Sequence, residues 1–370
     1  MRDRVSAAHR IVIKIGSSSL TGKSGGQLDP TAVDALVDVV ADLKKSGKEV
    51  LVVSSGAIAA GLAPLGLATR PKDLATQQAA ASVGQGLLIH RYTESFSRYS
   101  ITASQVLLTI EDVVRRSHYQ NAQRTLFKLI ALGVVPVINE NDSVGTQEIR
   151  FGDNDRIAAL VSHLVGADLL VLVTDVDALY DAPPTSAKAK KISEVHAIDE
   201  ISEVVIGGVG SAGVGSGGMV TKVDAARIAT GAGIPTLLTS LAEVGAALSG
   251  EEFGTFFHSA TSKKSSRLLW LAHAATPHGK LILDAGAVTA IKERGVSLLP
   301  AGVTAVEGEF ISGDTVELVG PDGVAIARGL VAFDASEVPQ MLGRSTKDLA
   351  KELGPEYERE LVHRDDLVLL

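Results

Sequence analysis

The chain contains no cysteine among its 370 residues, and aromatic residues make up only 4% of it. The first absence excludes disulfide bonds, thiol catalysis and cysteine-ligated metal sites. It is typical of proteins in a reducing compartment, and we therefore expect a cytoplasmic protein. The scarcity of aromatic residues means that a core must be built mainly from Val, Leu, Ile and Ala.

Long apolar runs are also missing from the sequence. A membrane-spanning helix needs about 18 or more consecutive apolar residues, and no stretch of that kind occurs. The first residues, MRDRVSAAHRIVIKIG, contain an apolar run that is too short for a signal peptide and is interrupted by Lys14. We therefore expect no membrane association.

Positive charge is scarce in the C-terminal part of the chain. The formal net charge is -8, and residues 277–370 contain 9 Lys and Arg against 16 Asp and Glu, which gives -7 for this part alone. Proteins that bind nucleic acid usually carry a basic surface that neutralises phosphates. The charge distribution therefore argues against a nucleic-acid partner.

The order of apolar segments predicts two domains. Short buried strands alternate with helical segments through residue 258, as in residues 11–15 before a helix over residues 31–46. This alternation predicts an α/β domain with a mainly parallel sheet covered by helices on both faces. Residues 259–276 are polar and read as a linker, and residues 277–370 contain short strands separated by glycine turns. We therefore expect a second, small β-rich domain there.

Residues 137–155, VINENDSVGTQEIRFGDND, are an apolar strand that runs directly into a dense polar cluster. In open α/β sheets, ligands bind in the crevice outside the carboxyl ends of the strands. This position favours contact with a small polar ligand. The alternative is an ordinary turn, because Asn, Asp and Gly are common turn residues. The acids and amides of this cluster are Asp142, Asp153, Asp155, Asn139, Asn141 and Asn154.

Two further strands end in small polar residues. Lys14 lies close to the end of the first strand, before Gly16 and a run of serines. Its ammonium group could lie over phosphates, although a lysine there could also be a solvated edge residue. The next strand ends at Ser55 and Gly56, where a following helix would direct its first N–H groups at an anion. A simple strand-to-helix turn explains this second stretch equally well.

A glycine-rich run between Gly207 and Gly218 is followed by a helix over residues 221–230. Consecutive backbone N–H groups in such a run can hold an anion, and the helix dipole adds positive potential. No Walker A pattern, GxxxxGK[ST], occurs here. A flexible linker is the alternative, but Lys222 just inside the helix favours phosphate binding. Thr174 and Asp175 supply polar groups at the end of another buried strand.

Together these features are typical of phosphoryl transfer. Two lysines, Lys14 and Lys222, beside a phosphate-binding run can neutralise the charge on the transferred group, which is the main catalytic requirement. Carboxylates would orient the lysines or, through Mg²⁺, the nucleotide. A GxGxxG pattern is missing at the first strand, which argues against a dinucleotide-dependent dehydrogenase.

The same segments carry a resemblance to a known family. The motifs VIKIGSSSL, VVSSGAIAAG, VPVINENDSV, FGDND, LLVLVTDVDALY and GVGSGGMVTK resemble the glutamate 5-kinase branch of the amino acid kinase family. Residues from about 277 onwards resemble the PUA module. The resemblance implies a three-layer αβα sandwich at residues 1–258 and a PUA domain with a C-terminal tail at residues 277–370.

The resemblance also implies an activity: ATP-dependent phosphorylation of the L-glutamate side-chain carboxylate to L-glutamyl 5-phosphate, the first step of proline biosynthesis. Lys14, Lys222 and Asp155 would then be catalytic. Glutamate would be held by Ser55, Asn139, Asp142 and Asn154. ATP would be held by Lys14, Thr174, Asp175, Ser216, Gly217, Gly218, Met219, Val220, Thr221 and Lys222.

The resemblance further implies Mg²⁺ with ATP, L-proline as a feedback inhibitor and a homo-oligomer, although no metal ligand can be assigned. Two alternatives remain at this point. One is a kinase of the same fold with a different acceptor, and the other is an RNA-binding regulatory protein, which the net charge of -7 over residues 277–370 disfavours.

Overall fold

The computed structural model describes residues 3–21, 27–114, 116–144, 153–182, 189–196, 218–259 and 277–370. The chain divides into two compact units, residues 1–263 and 264–370. The linker predicted at residues 259–276 lies, after its first residue, outside the described ranges, so the domain limits stay a prediction. No helix in these ranges is long and apolar enough to cross a membrane.

The first unit is organised around one large sheet. The strands of this sheet are β1 (Arg10–Ile15), β2 (Glu49–Ser54), β3 (Ala103–Leu108), β4 (Val135–Glu140), β5 (Leu169–Thr174), β8 (Glu194–Val195), β9 (Thr236–Ser240) and β10 (Thr255–Phe257). A separate small hairpin consists of β6 (Leu179–Tyr180) and β7 (Lys191–Ile192). The described strands of the large sheet follow the order β3-β4-β2-β1-β5-β9-β10-β8. All neighbours are parallel except β9 and β10, which confirms the prediction of a mainly parallel sheet.

Helices connect these strands. They are α1 (Asp3–Ala7), α2 (Ser17–Leu20), α3 (Pro30–Lys45), α4 (Ala57–Leu62), α5 (Leu74–Ser97), α6 (Ile110–Val114), α7 (Arg116–Ala131), α8 (Asp153–Leu164), α9 (Met219–Gly231) and α10 (Val244–Leu248). The start of α3 is as the sequence predicts, because the Asp29 side chain accepts a hydrogen bond from the Thr31 N–H at 2.9 Å and Pro30 occupies the first helical position. The serine run after Gly16 was expected to be a loop and instead forms the single turn α2.

The alternation of side chains along β1 separates the two faces of the sheet. Ile11, Ile13 and Ile15 are buried in a core that includes residues of α3, α5 and α10. Successive strand residues point to opposite faces, so Lys14 lies on the other face, where α8 packs on β1. Helices therefore cover both faces of the sheet, as expected for a three-layer αβα sandwich.

Two glycines allow α4 and α5 to approach each other closely. A Cβ atom at Gly61 of α4 would collide with the backbone carbonyl of Ala80 in α5, and one at Gly84 of α5 would collide with that of Ala57 in α4. Only glycine removes this clash without moving a backbone. The close approach brings α5 next to the turn that follows β2, and this contact positions part of the site described below.

The second unit is β-rich, which confirms the prediction for this part of the chain. Its elements are β11 (Gly279–Leu283), α11 (Ala285–Arg294), β12 (Val303–Gly308), β13 (Thr315–Val319), β14 (Ala325–Val331), α12 (Thr346–Leu353) and β15 (Val362–Leu369). The strands form one sheet in the order β12-β11-β13-β14-β15. Its core contains Leu281, Val316, Leu318 and Val362 among others.

Three sequence expectations in this unit were wrong. The apolar pattern of residues 297–303, SLLPAGV, predicts one of the short strands, but these residues contain a 3-10 turn at Pro300–Gly302, since Pro300 supplies no N–H to a ladder. Helix α11, which Asp284 caps and Gly295 ends at φ 58°, was not predicted. The final residues, read as a tail, form β15 and pair with β14.

The second unit has a sheet of its own, and this leads to a prediction about truncation. Deleting residues 277–370 removes the five-stranded sheet of the second unit as a whole and cuts no strand of the large sheet. We therefore expect the truncated chain to remain folded. Because every candidate site residue precedes residue 277, we also expect it to retain some of the kinase activity that the resemblance implies. Circular dichroism and a coupled assay for ADP release measure the two properties. A folded truncated chain with no activity would contradict this expectation.

Candidate active site

The carboxyl ends of the central strands meet at one edge of the large sheet. In the β1–β2 ladder Ile15 pairs with Ser54, and in the β1–β5 ladder Ile15 pairs with Val173. The Ser55 N–H also donates to the Ile15 carbonyl at 3.1 Å, which fixes the turn after β2 against the end of β1. The polar residues that follow β1, β2, β4 and β5 are therefore brought to the same edge, where open α/β sheets bind ligands.

Lys14 is buried, with only 4% of its surface exposed. Its ammonium nitrogen lies 2.6 Å from Oδ1 of Asp155, the third residue of α8. The alternative interpretation of Lys14 as a solvated edge residue is therefore wrong. A buried ammonium group needs a counterion, and the packing of α8 on the polar end of β1 supplies it.

Asp155 also joins α8 to α9. Its Oδ2 atom accepts a hydrogen bond from Thr221 Oγ1 at 2.7 Å and lies 3.4 Å from the ammonium nitrogen of Lys222. Asp155 is 1% exposed and Lys222 is 6% exposed. One carboxylate thus contacts both lysines that the sequence singled out, and it holds them close together at the sheet edge.

The charges of these groups depend on each other. Burial lowers the pKa of Lys14, Asp155 raises it, and the positive charge of Lys222 lowers it, so that the net shift is downward. Burial alone would raise the pKa of Asp155, but Lys14 and Lys222 lower it below its ordinary value. Asp155 is therefore ionised at neutral pH. Together the three residues carry one net positive charge when both lysines are protonated, and that charge suits a phosphoryl group.

The amides of the polar cluster form a hydrogen-bonded group beside this ion pair. The Asn154 side-chain amide donates to Asn139 Oδ1 at 2.9 Å and to Ser55 Oγ at 3.1 Å. The backbone N–H of Glu140 donates to both Asn139 Oδ1 and Asn154 Oδ1. Asn154 precedes Asp155 in α8, so the amide group and the ion-paired group are adjacent in the chain.

Gln85 also belongs to this amide group, although it is part of none of the motifs identified in the sequence. Asn139 Nδ2 donates to Gln85 Oε1 at 2.7 Å, and both side chains are buried. Gln85 lies on α5, which reaches the site through the close contact with α4. A signal existed in the sequence, because Gln85 shares a helix face with Ala81 and Leu88, and a polar residue on a buried face needs a partner.

Asp142 lies beyond β4 and faces a residue that sequence reasoning also missed. Burial raises the pKa of Asp142 to about 6, while the positive charge of Arg70 acts in the opposite direction. The Arg70 side chain is itself desolvated, which lowers its pKa. Asp142 and Arg70 together offer one negative and one positive group. These charges are complementary to the α-ammonium and α-carboxylate groups of an amino acid.

The remaining predicted residues lie at the ends of β5 and α9. Thr174 is buried at the end of β5 and donates to Asp175 Oδ1 at 3.0 Å, and the Asp175 residue is exposed. Helix α9 begins after Gly218, which has no side chain that could cap the first N–H groups, and a helix N-terminus of this kind suits an anion. Met219 and Val220 form its first turn, and Val220 is 50% exposed. The predicted residues Ser216 and Gly217 lie outside the described residues.

Comparison with known proteins identifies the families to which the two parts of the chain are similar. Residues 9–240 match the model of the amino acid kinase family, and residues 279–353 match that of the PUA domain. A solved structure of a UMP kinase from Bacillus anthracis overlaps 69% of this chain and 97% of that chain, at 12% identity and a TM-score of 0.46.

Curated relatives match over the whole chain. A protein from Streptomyces avermitilis named glutamate 5-kinase is 62% identical, over 100% of this chain and 98% of its own. Proteins of the same name from Salinispora arenicola and Thermobifida fusca are 61% and 56% identical, each over 100% of this chain and over 100% and 95% of their own. The chain belongs to the amino acid kinase family, and it carries a C-terminal PUA domain.

Proposed function

We propose that this chain transfers the γ-phosphoryl group of ATP to the side-chain carboxylate of L-glutamate. The products are L-glutamyl 5-phosphate and ADP, and the reaction is the first step of proline biosynthesis. The observation that carries the proposal is the buried Lys14–Asp155–Lys222 group, which lies next to a buried amide group at the ligand-binding edge of the sheet. The name shared by the full-length relatives supports glutamate as the acceptor.

The chemistry requires charge neutralisation more than acid–base catalysis. The attacking atom is an oxygen of the glutamate side-chain carboxylate, whose ordinary pKa of about 4.3 leaves it ionised at neutral pH. It bonds to the γ-phosphorus while the bond from that phosphorus to the β–γ bridging oxygen breaks, and ADP leaves. Lys14 and Lys222 would neutralise the charge on the transferring group, and Asp155 would hold both ammonium groups in place.

The acceptor half of the site would be formed by the amide group and Asp142. Ser55, Asn139 and Asn154 carry hydrogen-bonding groups that are oriented by one another, and Gln85 fixes the amide of Asn139. Asp142 would pair with the α-ammonium group of glutamate. Gln85 is proposed as a positioning residue, because its hydrogen bond is to Asn139.

The nucleotide half would be formed by α9 and the end of β5. The N-terminus of α9, with Gly218 to Lys222, suits the phosphates, and Thr174 and Asp175 would contact ATP. Asp155 does not fit as a Mg²⁺ ligand, because both of its oxygens contact ammonium groups. The exposed carboxylate of Asp175 is a better match to the oxygen donors that Mg²⁺ prefers. When bound, Mg²⁺ neutralises charge on the ATP phosphates.

Three further proposals rest on the resemblance to the family. L-proline would inhibit the enzyme by competing for the glutamate site, the chain would form a homo-oligomer, and it would work in the cytoplasm, as the absence of cysteine also indicates. We propose no nucleic-acid partner, because the net charge of residues 277–370 is -7 from 9 basic and 16 acidic residues.

One coupled assay of ADP release tests the function. We expect ADP to form with L-glutamate and ATP, to fall to the background rate without glutamate, and to decrease on addition of L-proline. Aspartate, carbamate and UMP are the comparison acceptors. Faster turnover of any of these than of glutamate would overturn the proposed substrate, and loss of proline sensitivity alone would overturn only the proposed inhibition.

Replacing Asp142 by asparagine tests the acceptor half of the site. We expect KM for glutamate to rise about 10- to 100-fold with a smaller change in kcat, because a hydrogen bond to a charged group contributes about 1.5–3 kcal/mol. Ser143→Ala, a change at an exposed neighbour in the same turn, is the matched control. An unchanged KM for glutamate in the Asp142 variant would contradict the assigned role.

The pKa of Asp142 adds a pH dependence to this test. The carboxyl group is ionised above about pH 6 and neutral below it. In the parent enzyme we therefore expect KM for glutamate to rise as the pH falls through about 6, since the ammonium partner loses its counterion. The Asp142→Asn variant should lack this dependence in the same pH range.

A further inference from the structure

A second cluster of chemically reactive side chains lies at the edge of the large sheet. Strands β8 and β10 are parallel neighbours in which Phe256 pairs with Glu194 and Phe257 with Val195. Side chains two residues apart in a strand share a face, so Glu194 and His196 lie on the same face as His258. The His258 N–H donates to the Val195 carbonyl at 2.9 Å and extends the pairing to the histidines.

The three side chains converge on a small volume. Nε2 of His258 lies 3.2 Å and Nε2 of His196 lies 3.6 Å from the same carboxylate oxygen, Oε2 of Glu194. One donor atom from each residue lies within 4.8 Å of the other two. The two imidazole rings are stacked with their centroids 4.3 Å apart and an interplanar angle of 21°.

These distances suit a metal ion. Zinc binds imidazole nitrogen and carboxylate oxygen at about 2.0–2.2 Å, so donors in a tetrahedral site are about 3.3–3.6 Å apart. The two histidine nitrogens lie 3.2 and 3.6 Å from Glu194 Oε2. All three donor atoms lie within 4.8 Å of one another, so side-chain rotations that also tilt the two stacked rings apart would bring them into position.

An ion pair between Glu194 and one histidine is the competing explanation, but it accounts for only one of the two histidines. One protonated histidine would satisfy Glu194, and protonating both would stack two positive rings 4.3 Å apart. A metal ion, in contrast, would use all three donors. The ring of His258 also contacts the buried ring of Phe256 in an edge-to-face arrangement, with centroids 5.0 Å apart and an interplanar angle of 90°. This contact helps to orient the His258 ring.

We propose that Glu194, His196 and His258 bind a divalent transition-metal ion of the zinc class. Two imidazole donors favour Zn²⁺, Co²⁺ or Ni²⁺ over Mg²⁺, which prefers oxygen donors. The His196 side chain is 62% exposed, so water can complete the coordination. The metal would join β8 to β10.

The site is separate from the phosphoryl-transfer centre. Strand β8 is at the end of the order β1-β5-β9-β10-β8, four strands from the strand that carries Lys14. Neighbouring strands are about 4.8 Å apart, which places the cluster about 19 Å from β1 across the sheet. The proposal therefore does not depend on the proposed kinase function, and the two can fail independently.

Metal titration of the full-length chain, prepared without a histidine tag and freed of metal with EDTA, tests the proposal. We expect visible absorption bands from one bound Co²⁺ per chain, and displacement of Co²⁺ by an equivalent of Zn²⁺. Millimolar Mg²⁺ should not displace it. Binding should weaken at acid pH, because protons compete for the imidazole nitrogens. Absence of these bands, or displacement by Mg²⁺, would overturn the proposal.

Variants assign the binding to this cluster. His196→Ala and His258→Ala should each weaken Co²⁺ binding at least tenfold and abolish the rise in Tm that Zn²⁺ causes in the parent chain. His278→Ala is the matched control, because His278 pairs with the Asp314 carboxylate at 3.4 Å and belongs to no cluster of three metal-ligating side chains among the described residues. Should His258→Ala fail to fold, the more exposed His196→Ala still decides. Unchanged Co²⁺ affinity in a folded His196→Ala variant would show that the cluster is an ion pair and does not bind the metal.

Discussion

Replacing Lys222 by alanine is expected to lower kcat by about 100- to 1,000-fold, the usual effect of removing one group that stabilises transition-state charge. Lys222 is 6% exposed and lies 3.4 Å from the Asp155 carboxylate, so its ammonium group is held in a place that water barely reaches. Charge neutralisation is stronger at such a position than at the surface. Removing the ammonium group leaves part of the charge on the transferring phosphoryl group unopposed.

Steady-state kinetics with saturating ATP and glutamate measure this effect. Lys45→Ala is the matched control, because Lys45 is a largely exposed lysine that pairs with Asp42 on α3. Circular dichroism should confirm that both variants are folded. If kcat of a folded Lys222→Ala enzyme stayed within a few fold of the parent value, Lys222 would have no part in the transfer step.

Positions at strand ends could be predicted from the sequence because parallel strands share one polar edge. Lys14 and Asn139 are the penultimate residues of β1 and β4, and Ser55 follows β2. The ladders of β1, β2 and β4 bring these ends together. The prediction required only the apolar runs and the rule that parallel sheets bind ligands at their carboxyl ends. The same rule placed Thr174 at the end of β5.

Contacts that depend on helix packing could not be predicted in this way. Gln85 reaches Asn139 because Gly61 and Gly84 let α4 and α5 approach closely, and a sequence does not reveal which glycines face each other. The position of Arg70 near Asp142 likewise depends on tertiary folding. The burial of Lys14 could not be predicted for a related reason. It depends on the packing of α8, which places the Asp155 carboxylate next to the Lys14 ammonium group.

The last strand was missed because its sequence gives a mixed signal. Residues 362–369 contain His, Arg and two Asp before three apolar residues, and a charged segment at a chain end is normally solvated. Pairing with β14 supplies the hydrogen bonds that propensity alone does not indicate. The strand has an edge position in its sheet, where charged residues are common.

Replacing Asp155 by asparagine is expected to affect both stability and catalysis. The carboxylate contacts Lys14 at 2.6 Å and Lys222 at 3.4 Å, and it is 1% exposed. Removing one partner of a buried ion pair costs about 3–5 kcal/mol, because the remaining charge stays desolvated. We therefore expect a lower Tm and a fall in kcat of at least 100-fold, comparable to the loss of one charge-stabilising group.

The pH dependence separates an electrostatic role of Asp155 from a purely structural one. Asp155 raises the pKa of Lys14 against the lowering effect of burial, so its removal lowers that pKa further. Lys14 in the variant then loses its proton at a lower pH than in the parent. The variant's kcat should accordingly recover part of its deficit as the pH is lowered, with glutamate kept saturating.

Asp168→Asn is the control for this measurement, because it removes a negative charge from the opposite end of β1, where Asp168 accepts hydrogen bonds from the His9 and Arg10 N–H groups. It should leave the pH profile of kcat unshifted. An Asp155→Asn enzyme with a lower Tm but an unshifted profile would mean that Asp155 supports the fold without setting the charge of Lys14. The acid-side recovery is therefore the result that assigns Asp155 to the phosphoryl-transfer step, since a loss of packing alone gives no reason for activity to return on protonation.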